Sequence, residues 1–257
     1  MNSFFTLAAA TLLAGSALVV AAEIKDPRVY EMRIYYAAPG KLDDLHKRFR
    51  DHTTKLFEKH GMENIGYWTP VENTNNSLIY VLAHASRDAA KKSWAAFVAD
   101  PDWKSAQKAS EVNGRLVAKV ESYYMQTTDF SPEIKSTQAA PRVFELRDYT
   151  ASAGNLAALD ARFRDHTVGL FSKHGMQNLA YWHLMPDQKN ADRKLIYILA
   201  HKSPAAGAES FAAFRKDPDW LKVREASEKK AGGSLTEGGM AGVKSTYMQA
   251  TDYSRTK

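Results

Sequence analysis

The sequence predicts an α+β fold in which two tandem ferredoxin-like units, each with the order βαββαβ, pack sheet to sheet as a pseudo-twofold α+β barrel. Three observations support this prediction: an internal repeat, a strand-like alternation at the start of each copy, and helical spacing directly after it. Residues 49–68 recur 114 positions later as residues 163–182, and both segments begin with Phe-Arg-Asp-His-Thr. The same structural unit is therefore expected twice.

Periodicity assigns the elements within the first copy. Polar and apolar side chains alternate over residues 29–35, which predicts a strand, and apolar side chains at helical spacing over residues 41–60 predict a long amphipathic helix. Gly61 stands where a left-handed C-cap belongs. The later elements follow in the order strand, strand, helix, helix, strand, at residues 65–68, 78–83, 86–98, from 100 onward, and 121–127.

The repeat also sets the predicted domain boundaries. The first unit is residues 23–130, the linker is residues 131–141 with a proline near each end, and the second unit is residues 142–257. The second copy is longer, by three residues before Leu195 and by six in the glycine-rich segment 232–242, which we expect to be a flexible insertion.

The N-terminal segment has the pattern of an export signal. Residues 1–22 carry no charged side chain, and their apolar run ends in the small residues Ala21 and Ala22. This predicts a signal peptide cleaved after Ala22 and a secreted or periplasmic mature protein. A retained membrane anchor is the alternative, because the run approaches the roughly 20 residues that span a bilayer. With no cysteine, the chain has no disulfide and no thiolate nucleophile.

The charge pattern bears on partners. The formal net charge is +6, but the lysines and arginines are interspersed with acidic residues and form no basic run or aromatic-basic RNA motif. We therefore expect no nucleic acid and, after signal cleavage, no membrane as a partner. A small-molecule ligand is the expected partner, and a homo-oligomer stays an open alternative.

The first strand of each copy has a polar face that needs a partner. If its apolar face packs under the helices, its polar face points into the space between the two sheets. The apolar face is formed by Tyr30, Met32 and Ile34, and the polar faces by Glu31, Arg33 and Tyr35 in the first copy and Glu145, Arg147 and Tyr149 in the second. Because buried charges must be paired, this space is expected to hold a Glu/Arg network or a polar ligand.

Several motifs resemble the NIPSNAP family. They are Tyr-Glu-Met-Arg-Ile-Tyr at residues 30–35, Phe-Arg-Asp-His at 49–52, His-Gly-Met at 60–62 before Tyr-Trp at 67–68, and Asp-Pro-Asp-Trp at 100–103, with counterparts in the second copy. The resemblance implies the dimeric α+β barrel fold. It is weak for activity, because that wider group is associated with cofactor-free monooxygenases, isomerases, haem-handling enzymes and proteins without a known reaction.

Candidate site residues follow from these patterns. The candidates for acid/base catalysis are Tyr35, Tyr149, His52 and His166, the two histidines because they lie at the edge of an apolar helical face. Trp68 and Trp182 join the Glu-Arg-Tyr sets as candidate ligand-binding residues of an aromatic-lined cavity. The commoner interpretation of both groups is ordinary packing with satisfied polar atoms. No metal site and no cofactor is expected, because no ligand pair stands at metal spacing.

Three hypotheses for function stay open at this point. The first is an exported binding protein that holds a small aromatic or anionic molecule between the sheets. The second is a metal-free enzyme of the monooxygenase or isomerase type, and haem binding is a variant that a Soret band would reveal. The third is a structural or protein-interaction module with a sealed interior.

Overall fold

We describe the protein from a computed structural model, in which residues 26–136 and 142–257 are described. The predicted signal peptide and the C-terminal part of the predicted linker lie outside these residues. The strands are β1 (Val29–Ala37), β2 (Glu63–Pro70), β3 (Ser77–His84), β4 (Val117–Thr127), β5 (Val143–Thr150), β6 (Gln177–Leu184), β7 (Lys194–His201) and β8 (Val243–Ala250). They form one closed antiparallel barrel in the order β1-β3-β2-β8-β5-β7-β6-β4.

The helices lie outside the barrel. They are α1 (Leu42–Arg48), α2 (Thr54–Lys59), α3 (Arg87–Ala99), α4 (Pro101–Ser110), α5 (Leu156–Arg162), α6 (Val168–Lys173), α7 (Pro204–Lys216) and α8 (Pro218–Ala231). Ser86 and Asp100 cap α3 and α4 by accepting backbone N–H groups. None of the helices in the described residues is both long and apolar enough to cross a bilayer.

The predicted long helix is continuous but irregular. A π-helical turn, Phe49–Thr53, joins α1 to α2, and a second one, Phe163–Thr167, joins α5 to α6. Both turns consist of the doubled Phe-Arg-Asp-His-Thr motif. A π turn bonds residue i to i+5 and leaves carbonyls without their usual partners. The hydroxyl of Thr53 donates to the carbonyl of Arg48 at 3.2 Å, and Thr167 does the same to Arg162 at 3.1 Å.

The two halves of the chain join through strand pairs and through their ends. Strand β2 pairs with β8, and β4 pairs with β6. The segment after β8 runs along β2, where the backbone N–H of Thr251 donates to the carbonyl of Tyr67 at 3.0 Å. The segment after β4 runs along β6 in the same way, with Thr128 donating to Tyr181 at 3.0 Å. Each half therefore completes the sheet of the other.

The arginine of the doubled motif forms an ion pair between the two halves of the chain. Arg50 forms a two-point ion pair with Asp252, which follows β8, and Arg164 forms one with Asp129, which follows β4. Both arginines are about two-fifths exposed, at 44% and 40%. Exposed pairs of this kind contribute about 1 kcal/mol or less, so these pairs link the two halves without adding much stability.

The barrel interior is apolar and shared by both halves. It contains Tyr30, Met32, Ile79, Val81, Phe144, Leu146, Ile196 and Ile198, with Trp68 and Trp182. Two further apolar clusters lie between the sheet and the helices, one in each half. The predicted placement of the first strand is therefore wrong, because Tyr30 and Met32 point into the barrel while Glu31 and Tyr35 lie under the helices. Alternation defines two faces, but only the full set of neighbours decides which face is inside.

Candidate functional site

A cavity of about 380 Å³ lies between the sheet and the helices of the second half. Arginines and aromatic side chains dominate its walls. Its lining includes Arg147, Tyr149, Arg162, Phe163, Thr167, Phe171, Phe211, Phe214, Arg215, Trp220, Arg224, Glu228, Thr236 and Met240. We call it the arginine cavity. Four arginines face one carboxylate in this lining, so the cavity has a positive character.

The π turn brings the helical side of the cavity together. Arg162 and Thr167 are five positions apart, and both line the cavity and are buried. In a regular helix the residue four positions after Arg162, His166, would share its face. The wider π turn moves that position out to solvent, so both His166 and His52 are exposed. The prediction that these histidines reach inward is wrong for this reason.

Arg162 is buried with only part of its hydrogen-bonding capacity used. Its side chain is 6% exposed, and its guanidinium group stacks over the ring of Trp220 at 5.2 Å. Nη1 lies 3.4 Å from Ser227 and 3.7 Å from Glu228, and Nε is buried without a hydrogen-bond partner. Burial lowers the pKa of Arg162 from its ordinary value. An anion in the cavity would supply the missing acceptor.

Arg147 contributes from the strand side. Its Nη1 donates to Glu145 at 2.5 Å, its Nη2 donates to the Tyr149 hydroxyl at 3.3 Å, and its Nε is buried without a partner. Burial by itself would lower the pKa of Arg147, but the neighbouring Tyr197, Tyr149 and Glu145 raise it overall. Arg147 is therefore a fixed cation in the cavity wall.

Behind each arginine on the first strands lies a buried acidic network. Glu31 is fully buried and accepts from four side chains, those of His84 (3.1 Å), Trp94 (2.6 Å), Ser122 (2.7 Å) and Arg33 (2.8 Å). Glu145 accepts from His201 (2.9 Å), Ser245 (2.5 Å) and Arg147. The predicted Glu/Arg network therefore exists, but under the helices of each half rather than between the sheets.

The two halves differ at the cavity. Phe211 lies in the second half where the first has Trp94, whose indole N–H reaches Glu31. At the rim, Arg215 and Arg224 replace Val98 and Gln107 of the first half. Arg48, the counterpart of Arg162, lies closer to its carboxylate, with Nη1 2.9 Å from Glu111. The second half is thus more cationic at this place.

The glycine-rich insertion, expected to be flexible, forms one wall of the arginine cavity. Leu235 is fully buried, and the backbone N–H of Glu237 donates to the carbonyl of Thr150 at 2.9 Å. Gly238 and Gly239 both have positive φ, 61° and 66°, which glycine adopts without strain. The chain can therefore turn there and place Met240 at the cavity.

The predicted aromatic and tyrosine residues divide between two places. Tyr149 lines the arginine cavity, and Tyr35 packs against Phe49 and Tyr80 under the helices of the first half. Trp68 and Trp182 lie inside the barrel instead. The residues predicted to form one site between the sheets therefore lie on opposite faces of the sheet, the tyrosines under the helices and the tryptophans inside the barrel.

Sequence reasoning missed four pairs of residues, which lie in the arginine cavity, at its first-half counterpart or in the buried acidic networks. Arg48 and Arg162 directly precede the doubled motif, and His84 and His201 end equivalent strands, so their recurrence was an available signal. Arg215 and Arg224 occur in the second half alone and gave no such signal. The small donors Ser122 and Ser245 are too common a residue type to stand out.

The acidic networks predict a pH dependence of stability. The pKa of Glu31 and of Glu145 is lowered, since burial, which raises it, is outweighed by His84 and Arg33 or by His201 and Arg147. A lowered folded pKa contributes stability that is present above the unfolded value of about 4.3 and lost as the pH falls through the folded value. Urea unfolding from pH 7 to pH 3 should show this loss. The double variant Glu31→Gln, Glu145→Gln should lose less over the same range, and an equal loss in both proteins would contradict the assignment.

Comparison with known proteins identifies the family. The NIPSNAP family profile matches residues 30–132 and 144–238, which is most of the chain. The protein belongs to the NIPSNAP family. Its two NIPSNAP domains correspond to the two halves of the barrel described above. No curated protein matches this NIPSNAP chain.

Solved structures agree on the fold. A candidate monooxygenase from Fusobacterium nucleatum (FN1347) is 10% identical, with 88% of this chain and 93% of that chain covered and a TM-score of 0.58. An anthrone oxidase-like protein is 12% identical, with 91% and 96% covered and a TM-score of 0.55. A NIPSNAP domain protein from Burkholderia xenovorans is 23% identical and covers 41% of this chain and 99% of its own, with a TM-score of 0.36. At these identities the first two structures support the α+β barrel fold alone.

Proposed function

We propose that this NIPSNAP protein binds a small aromatic anion in the arginine cavity. The observation that carries the proposal is a pair of buried arginines, Arg147 and Arg162, that line one cavity and each keep an unpartnered Nε–H. Leaving a buried donor unpaired costs about 1–3 kcal/mol, so an acidic acceptor at this place would relieve two such costs.

The remaining lining suits an aromatic body. Phe163, Phe171 and Phe211 supply apolar ring faces, and a cavity of about 380 Å³ falls within the range of small-molecule sites. A carboxylate next to Arg162 and a ring against the phenylalanines would satisfy both kinds of wall at once. This proposal retains the class of ligand predicted from the sequence but moves it from between the sheets to the helical side of the second half.

The test compares 2-naphthoate with the neutral 2-naphthamide by isothermal titration calorimetry. We expect the carboxylate to bind at least about tenfold more tightly, because a charge-assisted hydrogen bond contributes about 1.5–3 kcal/mol. The double variant Arg215→Val, Arg224→Gln carries the first-half residues at the exposed rim. It should weaken naphthoate binding and leave naphthamide binding unchanged. Equal affinity of the two probes, or binding of neither, would refute the proposal.

An enzymatic role is the second candidate, and one contact favours it. The hydroxyl of Tyr149 lies in the cavity wall beside the guanidinium group of Arg147. A carbon acid bound there would lose its proton to the phenolate form of Tyr149, which then becomes the neutral phenol, and Arg147 would be the cation that stabilises the resulting carbanion. The fold is shared with proteins described as a candidate monooxygenase and as anthrone oxidase-like, so molecular oxygen is the second reactant that we choose to test.

Oxygen uptake with anthrone as the carbon acid tests this role. Tyr149→Phe should lower the rate about 100-fold or more, as expected for the loss of a general base, while naphthoate still binds. Tyr35→Phe, at the equivalent position of the first half, is the matched control and should leave the rate unchanged. Absence of uptake by the unmodified protein, or equal rates in the two variants, would count against catalysis by Tyr149.

Two expectations from the sequence remain proposals of ours. The chain is exported and cleaved after Ala22, and each half is a ferredoxin-like unit. N-terminal sequencing of the secreted or periplasmic protein should begin at Glu23, whereas an intact Met1 in the membrane fraction would indicate a retained anchor.

A further inference from the structure

A second cavity lies at one end of the barrel interior, on the opposite face of the sheet from the arginine cavity. Its volume is about 210 Å³, and its walls come from both halves and from the start of the linker. The lining consists of Ile65, Trp68, Glu133, Ile134, Lys135, Gln177, Asn178, Leu179, Ala180, Trp182, Ile198 and Thr256. We call it the barrel-end cavity.

Two indole groups in this cavity carry unused donors. Trp68 and Trp182 are 2% and 1% exposed, and the Nε1–H of each is buried without a hydrogen-bond partner. Indole N–H groups usually find a partner when buried, and each unpaired one costs about 1–3 kcal/mol. The two tryptophans that carry these donors stand at equivalent positions of the two halves and line the same small space. The barrel core could have been filled by phenylalanine without this cost.

The two tryptophans are not arranged identically. A Cβ atom at Gly66 would lie 2.3 Å from the indole of Trp68, so this ring lies directly across the strand backbone. The equivalent position in the second half is Ala180, whose Cβ excludes the same arrangement for Trp182. The twofold relation is therefore broken inside the barrel, which suits an occupant that is itself asymmetric.

The walls restrict the charge of an occupant. The charged side chains in the lining are Glu133 and Lys135, which pair with each other at 2.7 Å and are 72% and 66% exposed. The other lining side chains are apolar, apart from the two indoles, the amides of Gln177 and Asn178, and the buried hydroxyl of Thr256, which donates to the carbonyl of Ile65 at 2.8 Å. An ion placed inside would lose its hydration without gaining a counter-charge. The occupant should thus be uncharged.

We propose that the barrel-end cavity binds a small uncharged aromatic compound whose carbonyl oxygen accepts from an indole N–H of Trp68 or Trp182. An apolar cavity of about 150 Å³ accommodates benzene, so the larger barrel-end cavity has room for a ring with a short carbonyl substituent. This ligand differs in charge and in location from the anion proposed for the arginine cavity. Failure of either proposal leaves the other unaffected.

The test uses 4-fluoroacetophenone, and 4-fluoroethylbenzene as a probe of similar shape without an acceptor. Both are titrated into the full chain and followed by ¹⁹F NMR, while ¹H–¹⁵N spectra follow the indole N–H signals. We expect 4-fluoroacetophenone to shift the signals of Trp68 or Trp182 and to bind more tightly than 4-fluoroethylbenzene. Trp182→Phe and Gly66→Ala, which displaces the Trp68 ring, should each weaken its binding about threefold to tenfold.

Trp103→Phe is the control, because Trp103 belongs to α4 and packs against the apolar cluster outside the barrel. It should change neither the affinity nor the signals of the other indoles. Equal binding of the two fluorinated probes, or unchanged indole signals of Trp68 and Trp182 at saturating probe, would overturn the proposal and leave water as the partner of both donors. These two results come from the unmodified protein, so they decide the matter even if a variant fails to fold.

Discussion

Replacing Glu31 with alanine is expected to lower the free energy of unfolding by about 3–5 kcal/mol, the usual cost of removing one partner from a buried charged network. Four side chains donate to this carboxylate, and its residue is completely buried. Without it, the fully buried imidazole of His84 loses its acceptor, and so do the partly buried guanidinium group of Arg33 and indole of Trp94. Urea unfolding at pH 7 measures the change, with an unaltered dependence on urea expected if the folded state stays compact.

Two variants make the Glu31 measurement specific. Glu31→Gln keeps the size of the side chain and part of its hydrogen bonding, so it should destabilise less than Glu31→Ala. Glu237→Ala removes an exposed carboxylate, 59% accessible and 3.1 Å from Arg193, and should cost no more than about 1 kcal/mol. Similar losses of unfolding free energy for Glu31→Ala and Glu237→Ala would show that the buried carboxylate of Glu31 stabilises the fold no more than an exposed one.

Replacing Arg162 with methionine is expected to weaken the binding of 2-naphthoate by about 30-fold or more. Truncating one member of a buried, hydrogen-bonded charge pair typically costs about 2–5 kcal/mol of binding free energy. Methionine keeps an apolar chain of similar length against Trp220, so packing under α8 is largely retained. Calorimetric titration of the variant measures this loss, with 2-naphthamide as the neutral probe. Loss of the charge should weaken naphthoate binding alone, whereas a change in the shape of the cavity should weaken the binding of both probes.

The internal repeat supplies the control for Arg162. Arg48 occupies the equivalent position in the first half, is equally buried and stacks over Trp103 at 5.1 Å. Arg48→Met should therefore change the free energy of unfolding about as much as Arg162→Met does. It should leave the affinity for 2-naphthoate unchanged. If both variants weaken naphthoate binding equally, the ligand is not bound in the second half alone, and the arginine cavity loses its special role.

The sequence was sufficient to predict the elements. Alternation over the first strand, the helical spacing that follows and Gly61 as a left-handed C-cap all correspond to the observed structure, with φ of 75° at Gly61. These predictions succeed because strand and helix periods and backbone sterics are local properties. The strand predicted at residues 78–83 is observed as β3 for the same reason.

Local patterns did not predict which side of the sheet a strand residue faces, or which way a residue after a π turn points around the helix axis. Glu31 and Tyr35 were assigned to the correct strand and to a shared face, but to the wrong side of the sheet. The side depends on partners far along the chain, above all Trp94 on α3 and the apolar side chains that the other half contributes to the barrel. His52 and His166 were misplaced by a different mechanism, because a single π turn shifts every later position around the helix axis.

The doubled Phe-Arg-Asp-His-Thr motif shows most clearly what the sequence determines and what only the tertiary structure determines. By itself the sequence determined that a unit occurs twice, that Phe-Arg-Asp-His-Thr lies on a helix, and that each first strand carries a Glu-Arg-Tyr face, because these follow from recurrence and local periodicity. Only the tertiary structure decided that the arginine of each copy binds an aspartate of the other half, and that Arg162 with Thr167 faces a cavity. The physical reason is that charge pairing and cavity formation depend on residues brought together by the closed barrel, at separations of up to about 200 positions along the chain.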